Sequence, residues 1–321
     1  MKAIRIPTFG GPEVLQQQEI PEPKLTQDTL LIDVKAVGIN PVDTYIRSGQ
    51  YAGLPNLPYT PGFDAAGIVE AVGADVDIYK PGDRIYCSGS LTGTYAEKTL
   101  CRAEHVHPLP QHLSFSQGAG LGIPYATAFR ALFHKGNVRE GQSILIHGAS
   151  GGVGLAALQL AKQLRLRIFA TAATDEGQQL VQEQGADHVL DHNNPERMDQ
   201  IRQQNAGRGI NLILEMLANA NLAMDLELLA PGGKVVVIGN RGTIEINPRL
   251  LMAKDAAILG LLLMNATPEE LADIHAGIII GLQSHILNPI VGLELPLDQA
   301  DQAHCEVMQA GHCGKIVLVT E

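Results

Sequence analysis

Residues 143–154 read SILIHGASGGVG, and this stretch decides the fold of the chain. SILIHG (143–148) is a short apolar run of strand character. VGLAALQLAKQL (153–164) then sets Leu155, Leu158 and Ala161 at helical spacing. Between them lies a glycine-rich turn. Glycines there serve the tight bend, the close approach of a pyrophosphate to the backbone and the packing of the helix on the sheet. The free N–H groups and the dipole at the helix start attract phosphate. The strict G-x-G-x-x-G spacing is not kept, because Ala149 takes the first glycine's place. The pattern is weak alone and carries weight here because a strand precedes it and a helix follows. Ser150, Gly151, Gly152 and Val153 are the candidates for holding the pyrophosphate.

Strand and helix go on alternating downstream. RIFATA (167–172), ADHVLDH (186–192), INLILEML (210–217), GKVVVIG (233–239) and AAILGLLL (256–263) read as strands, with a helix expected over 176–184. Apolar strands separated by helices predict a parallel sheet covered on both faces. With 143–148 the count is six, the number of a doubly wound Rossmann domain. Upstream, the chain reads as mostly β, with LLIDVKAVGIN (30–40), AAGIVEAVGADV (65–76) and PGDRIYC (81–87) as strands punctuated by Pro and Gly. Apolar spacing over 116–133, broken at Gly122 to Pro124, predicts two short helices. A helical stretch over 268–282 and a strand at KIVLVT (315–320) end the chain. No internal repeat, charge block or low-complexity linker interrupts it.

A carboxylate at the end of the second strand of such a domain holds a ribose 2′-OH and selects NAD. This chain has Ala172, Ala173 and Thr174 there, with Asp175 and Glu176 just after. The missing carboxylate favours NADPH over NADH. Thr174 and His192, at the end of the third strand, are expected to face the adenosine ribose.

Composition bounds the rest. The 321 residues suffice for two domains. A formal net charge of -11 opposes non-specific binding to nucleic acid or anionic lipid. The first residues lack the apolar core of a signal peptide. AAILGLLLMNA (256–266) falls well short of the about 20 residues that span a bilayer. A cytoplasmic protein with no membrane association is expected. The cysteines, Cys87, Cys101, Cys305 and Cys313, form no CxxC pair, so neither a structural zinc nor a disulfide framework is expected. His105 and His107 lack a third ligand, and no metal is expected at all.

Long segments carry a family resemblance. They are FGGPEVL (9–15), GINPVDTYIRSG (38–49), LPYTPGFDAAGIVEAVG (57–73), GIPYATAFRAL (122–132), HGASGGVGLAALQLA (147–161), EMLANANL (215–222) and GNRGTIEINPR (239–249). The chain resembles the medium-chain dehydrogenase/reductases, in their zinc-free, zeta-crystallin-like quinone oxidoreductase branch. The resemblance implies an α/β protein with a GroES-like, β-rich catalytic domain built from 1–120 and 261–321, and a Rossmann NADPH-binding domain over 121–260. Zinc-dependent relatives carry Cys and Gly-His-Glu where this chain has Asn40 and Phe63-Asp64. A phenyl ring cannot coordinate a metal, and an amide is a poor zinc ligand.

Without a metal to acidify an alcohol, an electron-poor quinone or α,β-unsaturated carbonyl is the fitting acceptor. Whether one electron or a two-electron hydride is delivered stays open. The resemblance places Asn40 near the nicotinamide or acceptor and Tyr45 against the cofactor. It puts Tyr51 and Tyr59 at the acceptor pocket or in loop packing, and Thr127, with Tyr125 nearby, at the nicotinamide. Ile238, Gly239, Asn240 and the segment Leu261, Leu262, Leu263 map to nicotinamide-side contacts, and Asn221 to a cofactor-side position. Many bacterial relatives carry Lys where this chain has Gly177, and Arg241 is a substitute candidate for the 2′-phosphate. A homodimer or homotetramer is implied, as is AU-rich RNA binding in some relatives, which this acidic sequence does not itself suggest.

Overall fold

The computed structural model describes residues 1–320. The chain divides into two compact units, residues 1–123 with 288 onward, and residues 124–287. The first begins with β1 (Lys2–Arg5) and β2 (Gln16–Glu19), an antiparallel pair. It continues with β3 (Thr29–Gly38), α1 (Pro41–Arg47), β4 (Asp64–Val72), β5 (Arg84–Ser88), β6 (Lys98–Arg102), β7 (Val106–Pro108) and α2 (Phe115–Ala119).

Helix α3 (Gly122–Phe129) leads into the second unit and passes into a π-helical turn, Arg130–Gly136. Six strands follow: β8 (Ser143–Ile146), β9 (Arg167–Ala172), β10 (His188–Asp191), β11 (Ile210–Glu215), β12 (Leu229–Val237) and β13 (Ala257–Gly260). They alternate with α4 (Gly152–Gln163), α5 (Asp175–Glu183), α6 (Arg197–Gln204), α7 (Ala218–Leu228) and α8 (Pro248–Met252), and α9 (Pro268–Gln283) comes last. All pairings are parallel, in the order β10-β9-β8-β11-β12-β13. The order reverses between β8 and β11, and a ligand crevice forms beyond the carboxyl ends of the strands at such a switch. Leu145, Phe169, Ile213 and Val235 fill the core beneath it.

The chain returns to the first unit with β14 (Val291–Pro296), α10 (Ala300–Glu306) and β15 (Lys315–Val319). A seven-stranded sheet results, ordered β14-β15-β3-β4-β5-β7, with β6 also on β3. Its core gathers Ile32, Val34, Val69, Ile85 and Leu318 around the buried Tyr95.

Two sequence expectations change. Residues 261–287 were expected in the catalytic domain, yet they cluster with the second unit. Arg130 explains this: it donates to the Leu262 and Asn265 carbonyls at 2.8 and 3.2 Å and to Glu270 at 2.7 Å. Gly277 of α9 also sits so close to the Phe129 ring that a Cβ would meet it at 2.4 Å. The last parallel strand stops at Gly260, so Leu261–Leu263 lie past its end and Leu262 is exposed.

Candidate dinucleotide and acceptor site

The glycine-rich turn closes on Gly148, whose φ of 57° is the left-handed conformation the bend requires. Ala149 therefore costs the turn nothing. It is buried, and its N–H donates to Thr171 O at 2.9 Å. Gly154 does the packing: a Cβ there would stand 2.5 Å from Ala149 Cα. Gly151 caps α4 without a side chain, so the first N–H groups of the helix have no intrahelical partner. Ser150, Gly151, Gly152 and Val153 thus come together at a helix N-terminus suited to an anion.

The adenosine end is built by the ends of β9 and β10. Thr174 caps α5, its Oγ1 accepting from Gly177 N at 3.1 Å. Gly177 is buried against Ser150 and Ala172, whose Cβ atoms lie 3.3 Å from where its own would be. That close seat accounts for the glycine. His192 is half-buried, with Nδ1 3.1 Å from Thr171 Oγ1. The Arg197 guanidinium at the start of α6 acts on His192 and, with burial as the larger cause, holds its pKa down. Sequence reasoning passed over Arg197.

Across the switch, Ile238 N and Gly239 N both donate to Glu215 O, at 2.9 and 3.2 Å. Ala218 N donates to Gly239 O, and Arg241 N to Asn219 Oδ1 at 2.8 Å. Asn240 and Arg241 are exposed on this turn. The strand order places β12 three spacings from β9, about 14 Å. Arg241 follows the end of β12, three strand positions from the β9 end that carries Thr174. Asn221 stands behind this turn. It is 2% exposed and donates to Glu215 Oε1 at 3.2 Å, so it braces the turn from inside. At Leu261–Leu263, Leu261 N donates to Val237 O while Arg130 holds the Leu262 carbonyl.

Beneath the crevice lies a cluster the sequence did not announce. His147 Nε2 is 2.9 Å from Asp225 Oδ1 and 3.6 Å from Glu215 Oε2, and all three residues are buried. Among the described residues this is the one group of three His, Cys, Asp or Glu side chains with metal-ligand proximity. The 2.9 Å spacing is a hydrogen bond, shorter than the edge of about 3.3 Å between ligands at tetrahedral zinc distances. Burial pushes Glu215 and Asp225 each up to about 7 and His147 down.

In the first unit, Asn40 is 2% exposed, and both ends of its amide are engaged. Oδ1 accepts from Lys315 Nζ at 2.6 Å, and Nδ2 donates to Asp64 Oδ2 at 2.9 Å. Asp64 also accepts from Ile123 N. Burial pushes the Asp64 carboxyl up and the Lys315 amine down, and each one's charge opposes the other's shift. Both ends of the Asn40 amide are thus held by the protein, and Asn40, expected near the nicotinamide or acceptor, braces this corner of the unit. The helix after it, α1, carries half-buried Tyr45 and is anchored from behind. Tyr95 Oη donates to Asp43 Oδ2 at 3.1 Å and pairs with His304 Nε2 at 2.9 Å.

A pocket of about 520 Å³ opens in this unit, lined by Asp43, Tyr59, Thr60, Phe63 and Leu91 among others. Tyr59 is among the lining residues, and its buried hydroxyl has no hydrogen-bond partner. Tyr51 is half-buried outside that lining. In the second unit Thr127 is buried on α3, beside Tyr125, whose hydroxyl donates to Gln159.

Known proteins share this architecture. Residues 26–111 match the family described as alcohol dehydrogenase GroES-like domain, and residues 152–276 the family described as zinc-binding dehydrogenase. The quinone oxidoreductase of Homo sapiens is 47% identical over 99% of this chain and 98% of its own length. The chain belongs to the quinone oxidoreductase family. The family's Sus scrofa member is 48% identical over the same shares of both chains. The solved quinone oxidoreductase of Escherichia coli, complexed with NADPH, superposes with a TM-score of 0.91 at 29% identity, over the whole of both chains. The GroES-like and Rossmann expectation for this quinone oxidoreductase chain holds.

Proposed function

We propose that this chain reduces quinones with NADPH and needs no metal to do so. The observation that carries the reading is the Asn40–Asp64–Lys315 cluster. Where zinc-dependent dehydrogenases would hold their metal, this chain seats an amide between a buried carboxylate and a buried amine. Phe63 offers no ligand atom. Nothing there can acidify an alcohol, so the acceptor must itself stabilise the incoming charge, as a quinone does.

NADPH supplies a hydride when bound. The residues present fit it: the N–H groups at the start of α4 suit the pyrophosphate, and the end of β9 carries no carboxylate to repel a 2′-phosphate. Arg197 is the cation near that end. Gly239 and Asn240, with the backbone of Leu261–Leu263, would flank the nicotinamide, with Thr127. The Tyr59 hydroxyl, which burial keeps protonated, can donate a hydrogen bond to a quinone oxygen, and Tyr45 stands on the anchored helix α1. Positioning and hydrogen bonding are what such a hydride acceptor requires of the protein.

We infer a homo-oligomer from the family, to be checked by light scattering. No helix among the described residues is long and apolar enough to cross a membrane, in keeping with a cytoplasmic site of action. The function is tested by comparing kcat/KM for phenanthrenequinone and for an α,β-unsaturated aldehyde, each with NADPH. Preference for the quinone is expected, and turnover of the aldehyde alone would reassign the chain to enone reduction.

A further inference from the structure

We propose that His147, through Thr171, sets which nitrogen of His192 faces the nucleotide, and that it presents Nε2 as a hydrogen-bond acceptor to a ribose hydroxyl. The proposal rests on the reading of His192 at the adenosine end of the crevice.

The groups stand in a row. Asp225 Oδ1 lies 2.9 Å from His147 Nε2, His147 Nδ1 lies 3.4 Å from Thr171 Oγ1, and Thr171 Oγ1 lies 3.1 Å from His192 Nδ1. Asp225, His147 and Thr171 are each at most 4% exposed. The direction of the row follows from counting protons. Glu215 Oε2 and Asp225 Oδ2 are buried without a hydrogen-bond partner, and the two carboxyls lie side by side at His147 Nε2. One proton between them satisfies both oxygens. Asp225 Oδ1 is then an acceptor, and His147 donates to it from Nε2. Burial keeps His147 neutral, so its Nδ1 carries a lone pair.

Among the described residues the hydrogen-bond partner of that lone pair is the Thr171 hydroxyl at 3.4 Å, which has a single proton to give. Gly148 N already donates to Thr171 Oγ1 at 3.3 Å. Oxygen has a second lone pair, and His192 must fill it with an Nδ1–H. The tautomer of a neutral imidazole is set by the bond its other nitrogen makes. Nε2 is thereby left with its lone pair for a ligand.

The charges around His192 agree with a neutral ring. Burial disfavours its protonation most and the Arg197 charge opposes it too, while Glu215 and Asp191 favour it more weakly than burial disfavours it. An acceptor nitrogen suits a ribose hydroxyl and not a phosphate oxygen. The 2′-phosphate of NADPH then falls to Arg197, and His192 takes the neighbouring hydroxyl. Three strand ends, β8 with the turn, β9 and β10, are tied by this row into one hydrogen-bonding unit.

The test uses the full chain labelled with 15N-histidine and long-range proton–nitrogen correlation, with His192→Ala identifying the signal. Wild type should show His192 as the Nδ1–H tautomer without any nucleotide. Thr171→Val removes the bond that holds it, and the Nε2–H form should appear. His147→Phe leaves the Thr171 hydroxyl no acceptor except His192 Nδ1 and should turn the imidazole over completely. Calorimetry should show NADPH binding about fivefold weaker in Thr171→Val, the worth of one hydrogen bond, and that loss should vanish in the His192→Ala background. An Nε2–H tautomer in wild type, or an Nδ1–H tautomer that survives Thr171→Val, overturns the relay. Should His147→Phe fail to fold, the near-isosteric Thr171→Val decides the matter alone. Unchanged NADPH affinity in His192→Ala, with the Nδ1–H tautomer confirmed, overturns the ligand half and the adenosine placement beneath it, and leaves the row of bonds standing.

Discussion

Lys315 Nζ lies 2.6 Å from Asn40 Oδ1, and the two residues are 275 positions apart in the chain. The opening residue of β15 thus holds the residue that precedes α1, with Asp64 as the third member 3.7 Å from the amine. Removing the charge alone should be costly. Lys315→Met leaves the Asp64 carboxylate buried without a counter-charge and should destabilise the protein by about 3–5 kcal/mol. Lys315→Met with Asp64→Asn should recover most of that loss. Denaturant unfolding of both variants reads the difference, and equal losses would contradict a coupled pair.

The glycine-rich turn offers a contrast between two alanines. At Gly154 the new methyl would meet Ala149 Cα at 2.5 Å, a backbone atom that cannot yield cheaply. Gly154→Ala should lower stability by about 1–3 kcal/mol. At Gly151 the backbone has φ -81° and the nearest atom is 3.5 Å away, so the fold tolerates a methyl. It would stand where the pyrophosphate approaches. Gly151→Ala should keep the melting temperature and weaken NADPH by about tenfold, or 1.4 kcal/mol. Calorimetry and thermal unfolding together check the contrast.

Thr174→Asp separates cofactor choice from folding. Asp caps a helix as well as Thr does, so α5 should keep its start and the protein its stability. The new carboxylate would face the 2′-phosphate. NADPH affinity should fall by about tenfold relative to NADH, read from the fluorescence of the bound reduced nicotinamide. An unchanged ratio would mean that Thr174 does not stand near the 2′-phosphate.

Acid stability should depend on His304. The ring is 1% exposed beside Tyr95 and Arg47, and burial, aided by the Arg47 charge, brings its pKa down from 6.5 to about 3. The unfolded chain takes a proton that the folded chain refuses across that window. Stability therefore falls as pH drops from about 6.5 toward 3. Asp43, raised by burial to about 7, works in the other direction and costs stability as pH rises from 3.8 toward 7. The two windows overlap and oppose each other, so His304→Gln should lessen the loss of stability toward acid and Asp43→Asn should steepen it, read from unfolding across that range.

Much of the fold was legible because its signals are local. Most strands of the parallel sheet carry a continuous apolar run next to a helix, so the six strands fell close to their observed places. Leu261–Leu263 misled because an apolar run looks the same inside a strand and just past its end. What escaped was long-range. Lys315 reads only as the first residue of a final strand, and nothing local ties it to Asn40. Glu215 carried a faint signal, a carboxylate closing the apolar run INLILE, and Asp225 none, since one acidic residue on a helix is ordinary. Asn40 and Asn221 could be picked out in the sequence, but their partners, Lys315 and Asp64 for one and Glu215 for the other, could not. The 261–287 segment followed the same rule, its allegiance being decided by one buried arginine, Arg130.

The most direct measurement is NADPH consumption by protein exhaustively treated with a chelator, with phenanthrenequinone as acceptor and NADH run in parallel. Quinone-dependent turnover that chelation does not diminish and that prefers NADPH is expected. Turnover lost on chelation and restored by zinc, or no turnover despite tight NADPH binding, would contradict it.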